Sequence, residues 1–95
     1  MQHQDTIIAL ATPSGAGAIA VIRVSGPEAI GISEGLFKSI HNKKLTAQPT
    51  HSIHLGHIVD GSRVLDEVLI SLFKNPQSYT GEDVVEISCH GSHYI

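Results

Sequence analysis

An arginine and a glutamate, each interrupting a mainly apolar run, are the residues of this sequence best suited to chemistry. Arg23 lies in the run 21–24, and Glu86 lies in the run 84–89. A carboxylate held on a strand can accept parallel hydrogen bonds from a ring N–H and an adjacent amino group, the edge that a pterin or a guanine presents. A guanidinium offers the complementary fork to a carboxylate or a ring carbonyl. Two interpretations stay open: the two side chains pair on the wetter face of a sheet, or they line a ligand pocket.

The single cysteine and the histidines give weaker signals. Cys89 falls on the predicted core face of its strand, where a buried, inert thiol is a simpler interpretation than a nucleophile. Three histidines stand three residues apart, a spacing that alternates faces on a strand and cannot converge on a metal ion: His51, His54 and His57. His90 and His93 lack a third ligand nearby. We therefore predict no catalytic residue and no metal site.

A glycine motif at residues 15–20 matches the G-x-G-x-x-A pattern of dinucleotide-binding proteins. That motif requires a helix to begin at the glycines, so that the amino end of the helix meets the pyrophosphate. The next residues, Val21 to Val24, favour a strand instead. The loop Gly15-Ala16-Gly17 is therefore interpreted as a flexible turn, or as a place where a ligand or a second chain approaches the backbone closely.

Length and composition fit one small domain. The chain has 95 residues and a formal net charge of −3, with no basic block longer than Lys43-Lys44. This argues against a large surface for nucleic-acid phosphates. One cysteine allows no internal disulfide, so a reducing cytoplasm fits best. The chain shows no signal peptide, no P-loop, and no apolar run near the ~18 residues that a membrane span needs.

Hydrophobic periodicity predicts the elements that must position these residues. We predict strands at 6–11, 18–24, 51–59, 64–73 and 84–89, with a helix starting at 25–28 and ending at 38–40. Asp60-Gly61 predicts the turn of a hairpin between the third and fourth strands. The fold class expected is α+β in two layers, a mixed β-sheet with helices packed on one face.

Two longer patterns make the chain resemble a known family. The first runs from Asp5 through Thr12-Pro13 to the stretch Ile22-Arg23-Val24-Ser25-Gly26. The second runs from Asn75-Pro76 through the stretch 78–83 and Glu86 to His90-Gly91. Together they resemble the amino-terminal segment of the MnmE (TrmE) tRNA-modification GTPases over nearly the whole chain. The loop Gly15-Ala16-Gly17 departs from the pattern, because it lacks the arginine that many relatives carry there.

The resemblance implies a fold and a function. Residues 1–95 would be one truncated amino-terminal domain, similar to the folate-binding domains of aminomethyltransferases, which binds a tetrahydrofolate derivative and mediates homodimerisation. The helical and GTPase domains of the parent, with GTP, potassium and magnesium, would lie outside this chain. The parent would be a GTP hydrolase that acts with the flavin-dependent protein MnmG (GidA) on the wobble uridine of tRNA, with the folate supplying the one-carbon unit.

The resemblance also assigns the site residues. The folate-contacting arginine of the family falls on Arg23 and its folate-contacting glutamate falls on Glu86. The folate would be the 5-formyl or the 5,10-methylene form, and this chain alone would carry no complete catalytic site. An alternative from a different class is a pure dimerisation module without a ligand.

Overall fold

One antiparallel sheet dominates the computed structural model, which describes residues 5–10, 19–75 and 81–90. In that part of the chain the sheet has six strands in the order β1-β2-β6-β5-β4-β3. They are β1 (Ile7–Leu10), β2 (Ile19–Ser25), β3 (Phe37–Ser39), β4 (Ser52–Asp60), β5 (Arg63–Phe73) and β6 (Val84–His90). The α-helix α1 (Ala29–Leu36) and a short 3₁₀ helix (Leu45–Ala47) complete the described elements.

The predicted α+β class is confirmed, and the sheet within it needs a correction. All five described strand pairings are antiparallel, so the sheet is not mixed. Four of the five join strands that follow one another along the chain, and such neighbours pair antiparallel unless a long crossover separates them. A single described α-helix, rather than several helices, packs on the sheet.

Alternation along the strands gives the sheet two different faces, because residues paired across strands point to the same side. The closed face is the side that carries Val24, Ile70 and Ile87, which join the helix residues Ala29 and Ile30 in the buried core. The open face is the other side, and no residue of that core cluster lies on it. The core therefore sits between one face of the sheet and α1.

The helix ends earlier than its apolar pattern predicts. It stops at Leu36, and Phe37–Ser39 forms β3 against β4 instead of another helical turn. Gly35 lowers the helical propensity at this point, and leaving the helix places the ring of Phe37 in the core. The helix does not bury every apolar side chain, because Ile32 and Leu36 are exposed whereas Ser33 is buried.

The hairpin between β4 and β5 is confirmed. Its turn follows Asp60, with Gly61 at a φ of 62°, the left-handed conformation that glycine adopts without strain. Val68, Ile70 and Leu72 share the closed face and are almost completely buried. This hairpin supplies the middle of the core.

Candidate functional site

The pairing of β2 with β6 positions the two charged residues that interrupt apolar strands. Arg23 lies directly opposite Glu86 in an antiparallel register of seven residue pairs. On the closed face the same register pairs Val24 with Val85. A slip of one residue would turn these buried valines towards the open face, so burial of the apolar set fixes Arg23 beside Glu86.

The two side chains form an ion pair with two hydrogen bonds. Nε of Arg23 donates to Oε2 of Glu86 at 3.0 Å, and Nη2 donates to the same oxygen at 2.6 Å. The side chain of Arg23 is 39% exposed and that of Glu86 is 24% exposed. Both hydrogen bonds are charge-assisted and end on the same carboxylate oxygen, Oε2.

The pairing interpretation of these residues is therefore confirmed on the open face. The pair is partly buried, which strengthens its hydrogen bonds relative to those of a fully solvated pair. A partly exposed carboxylate that is oriented by a guanidinium can also accept hydrogen bonds from a flat polar ligand.

The neighbours of Arg23 and Glu86 on the open face lie on β1 and β5, and sequence patterns do not predict which strands these two pair with. Ser71 of β5 lies opposite Glu86 on the side away from Arg23, and Ala9 of β1 lies opposite Arg23. Alternation predicts the face of each residue, but the strand order needed to place it beside Glu86 comes only from the structure.

Residues of the two sequence signatures are also hydrogen-bonded to each other at the end of the sheet near Arg23 and Glu86. The backbone carbonyl of Asp83 accepts a hydrogen bond from the N–H of Gly26 at 2.9 Å, and Oδ1 of Asp83 accepts one from the N–H of Asn75 at 2.8 Å. Gly26 has a φ of 131°, and a Cβ there would lie 2.6 Å from the carbonyl oxygen of Asp5. Asp83 and Gly26 thus have structural roles.

Cys89 packs in the core, as predicted. It is 3% exposed on the closed face, and its thiol donates to the carbonyl oxygen of Ala20 at a donor–acceptor distance of 3.5 Å. Burial, with a smaller contribution from the Asp66 carboxylate, raises the pKa of the thiol. A raised pKa disfavours the thiolate, the reactive form of cysteine.

The three regularly spaced histidines diverge, as their spacing predicts. His54 lies on the closed face and is buried, whereas His57 lies on the open face with its Nε2 at 3.8 Å from Glu67. His51 precedes β4 and its ring packs edge-on against Phe73. Within residues 5–10, 19–75 and 81–90, no three side chains of the metal-binding types come together.

Some sequence predictions fall outside the described residues. These are Thr12-Pro13 of the first signature, the loop Gly15-Ala16-Gly17, the stretch 76–80 and Gly91 of the second signature, the side chain of His90, and His93. In the described part of the chain, no helix is long and apolar enough to cross a membrane.

Comparisons with known proteins agree with the two signatures. The family described as "GTP-binding protein TrmE N-terminus" matches residues 6–95. A Flavobacterium johnsoniae protein named "tRNA modification GTPase MnmE" is 70% identical over all 95 residues, which cover 20% of its length. Proteins of the same name from Christiangramia forsetii and Bacillus subtilis are 63% and 52% identical, over 100% and 92% of this chain. The chain spans about a fifth of the length of these curated relatives, covering 20%, 20% and 19% of them.

Proposed function

The chain belongs to the TrmE amino-terminal domain family, and on that premise we propose that it is the folate-binding and dimerisation domain of a tRNA-modification GTPase. Its ligand would be a tetrahydrofolate derivative, in the 5-formyl or the 5,10-methylene form. The ligand would supply the one-carbon unit for the modification of the wobble uridine. The fold would then be similar to that of the folate-binding domains of aminomethyltransferases.

The ion pair between Arg23 and Glu86 carries this proposal. The pterin ring of a folate presents a ring N–H beside an amino group, and a carboxylate is the acceptor that matches both. Glu86 provides that carboxylate on a rigid central strand, partly exposed and oriented by two hydrogen bonds from Arg23. A ligand site on strands is held more precisely than one on loops.

The rest of the proposed activity lies in other parts of the protein. GTP, potassium and magnesium would bind the GTPase domain, and a helical domain would join it to this one. The protein would act as a homodimer with a flavin-dependent partner, MnmG, on tRNA in the cytoplasm. The excess of acidic over basic side chains, nine against six, supports tRNA contacts elsewhere in that complex.

Substitution of Glu86 by alanine in the full-length protein tests the proposed site. We expect Glu86→Ala to abolish the binding of 5-formyl-tetrahydrofolate, measured by isothermal titration calorimetry, while the protein stays folded. Each charge-assisted hydrogen bond lost is worth roughly 1.5–3 kcal/mol. Glu67→Ala is the matched control, because Glu67 lies on the same face of the sheet with a 59% exposed side chain and makes only a 3.8 Å contact with His57.

Unchanged affinity in Glu86→Ala would refute the assignment of Glu86 as the ligand carboxylate. Equal losses in Glu86→Ala and Glu67→Ala would show a general effect of charge on the open face. Circular dichroism on each variant checks that the protein is folded.

A pure dimerisation module is the second candidate function. Exposed apolar side chains on the open face favour it, since Ile53 is 66% exposed and Leu69 is 45% exposed. Static light scattering combined with folate titration separates the two functions. A full-length protein that dimerises but never binds a folate would establish the second candidate.

A further inference from the structure

The closed face of the sheet is covered unevenly by α1. Ile8 and Leu10 of β1 lie on that face, opposite Val24 and Ile22, yet they are 63% and 50% exposed. We propose that this part of the closed face receives a second helix, formed in the full-length protein by the segment directly after residue 95. The proposal rests on membership of the family and holds whether or not the domain binds a ligand.

The helix α1 presents an apolar flank as well as its buried face. Ser33 faces the sheet and is 2% exposed. With about 3.6 residues per turn, Glu34 and Ile32 lie on opposite sides of Ser33. Ile32 is 41% exposed, and Leu36, one turn further along the same flank, is 49% exposed. Two apolar side chains of α1 therefore point along the sheet rather than into the core.

The short 3₁₀ helix shows in which direction this flank points. Oε2 of Glu34 accepts hydrogen bonds from the N–H and the hydroxyl of Thr46 at 2.8 and 2.7 Å, so the 3₁₀ helix lies on the Glu34 flank. Nζ of Lys74, just after β5, donates to the carbonyl oxygen of Thr46 at 3.2 Å, which places the 3₁₀ helix on the β5 side of α1. The strand order then puts Ile32 and Leu36 on the other side, towards β2 and β1.

These side chains bound an apolar slot on the closed face, with Ile8 and Leu10 of β1 along one side and Ile32 and Leu36 of α1 along the other. Ile22 of β2 lies between them and is only partly buried against the core. Two neighbouring strands are together about 10 Å wide, which is the width that one helix covers. An amphipathic helix would bury the slot with its apolar stripe and leave its polar face in water.

The course of the chain favours the next segment as the occupant of the slot. β6 ends at His90, which is paired with Ile19 at the beginning of β2, so the chain leaves the sheet beside the slot. Elements that follow one another along a chain usually pack side by side through short connections. The matching family is described as an amino-terminal one, and this chain covers 20% of the Flavobacterium johnsoniae relative, so a full-length protein has the sequence for such a helix.

Cysteine accessibility in the full-length protein tests whether the slot is covered. The variants Ile8→Cys and Leu36→Cys are treated with a maleimide, and the modified peptide is quantified by mass spectrometry. Val64→Cys is the matched control, since Val64 is 57% exposed in β5 next to the hairpin turn, outside the slot. We expect both slot cysteines to react about a hundredfold more slowly than the control, because labelling must wait for local opening. Rates within about threefold of the control would overturn the proposal.

Photo-cross-linking in the full-length protein identifies what covers the slot. A leucine analogue that carries a diazirine replaces Leu10 or Leu36, which keeps the size of the side chain and decides the question where a cysteine variant folds poorly. Isotope-labelled and unlabelled proteins are mixed, so that links within one molecule differ in mass from links between two copies. We expect links within one molecule to residues that lie about 30 positions or fewer after residue 95, the length of a short connection and one helix.

Other cross-links overturn the proposal. Links between labelled and unlabelled protein show that a second copy occupies the slot. Links to more distant parts of the same molecule show that another domain occupies it. An absence of links from both positions shows that the slot is open to solvent.

Discussion

The two faces of the sheet use the same strands for different purposes, and β6 shows the difference within seven residues. On the closed face β6 contributes Val85 and Ile87, which are 0% and 8% exposed. On the open face the residue between them is Glu86, whose side chain is 24% exposed and hydrogen-bonded to Arg23. One strand therefore supplies both the core of the domain and its candidate ligand site.

The comparison shows why the charged pair lies where it does. A carboxylate and a guanidinium on the closed face would lose their hydration completely, and the cost would exceed their mutual attraction unless every donor and acceptor were paired. On the open face the pair keeps partial hydration, while the closed face beneath it holds both backbones in place. Packing on the closed face therefore fixes the positions of Arg23 and Glu86 on the open face.

The largest loss of stability is expected from a substitution on the closed face. Ile70 is fully buried in β5, and Leu69 beside it on the open face is 45% exposed. We expect Ile70→Ala to lower the free energy of unfolding by about 2–5 kcal/mol, because it leaves a cavity. Leu69→Ala should lower it by less than about 1 kcal/mol. Urea denaturation measures both, and equal losses would contradict the division into closed and open faces.

A smaller loss of stability is expected from a substitution on the closed face where β3 pairs with β4. A Cβ at Gly56 would lie 2.5 Å from Cζ of Phe37, closer than real contacts allow. We expect Gly56→Ala to destabilise the domain by about 1–3 kcal/mol, because the ring and β3 must move. Gly31→Ala is the control, since Gly31 lies in α1 with open space around it. Alanine there should raise stability by roughly 0.5–1 kcal/mol. Thermal unfolding that shows no difference between the two variants would contradict this packing.

The smallest effect is a pH dependence from the closed face. His54 is 8% exposed, and burial, with a smaller contribution from Lys43, lowers its pKa. The unfolded chain binds a proton more readily at this residue, so its contribution to stability is complete above about pH 6.5 and falls as the pH drops below that value. Replacing His54 by glutamine should flatten the loss of stability between pH 7 and pH 5 in urea titrations, and an unchanged slope would contradict this role of His54.

A hydrogen bond with Ser52 determines which ring nitrogen of neutral His54 carries the proton. The hydroxyl of Ser52 donates to the carbonyl oxygen of Pro49 at 2.7 Å, so its oxygen is left to accept from Nε2 of His54 at 2.9 Å. Nε2 therefore carries the proton in the neutral ring. Protonation in acid would add the second proton to Nδ1 in a buried environment, which explains why acid destabilises this position.

Alternation alone predicts most of the strands and the faces of β6. Val85, Ile87 and Cys89 are buried as the pattern indicates, and the charged interruptions at Arg23 and Glu86 mark the open face. These predictions succeed because a strand with one buried face has a period of two that can be read locally.

Two features could not be predicted, because they depend on residues distant in the chain. The sequence pattern does not predict β3, because Phe37 is compatible with a helix as well as a strand and only the pairing with β4 decides between them. The contact between Arg23 and Glu86 joins residues 63 positions apart. Local patterns contain no information about which strands lie side by side. The ion pair between Arg23 and Glu86 therefore follows only from the strand order in the structure.

The position of β6 has a consequence for how the domain folds. It is the last described strand along the chain, yet it lies in the middle of the sheet between β2 and β5, which do not pair with each other. During synthesis the earlier residues can form only two separate pieces, β1 with β2 and β3 with β4 and β5. The complete sheet, the core and the pair of Arg23 with Glu86 can form only after β6 has been synthesised. Contacts between strands that are distant along the chain slow folding. Until β6 is synthesised, the edges of β2 and β5 that it covers are unpaired, and an unpaired strand edge can pair with the wrong strand.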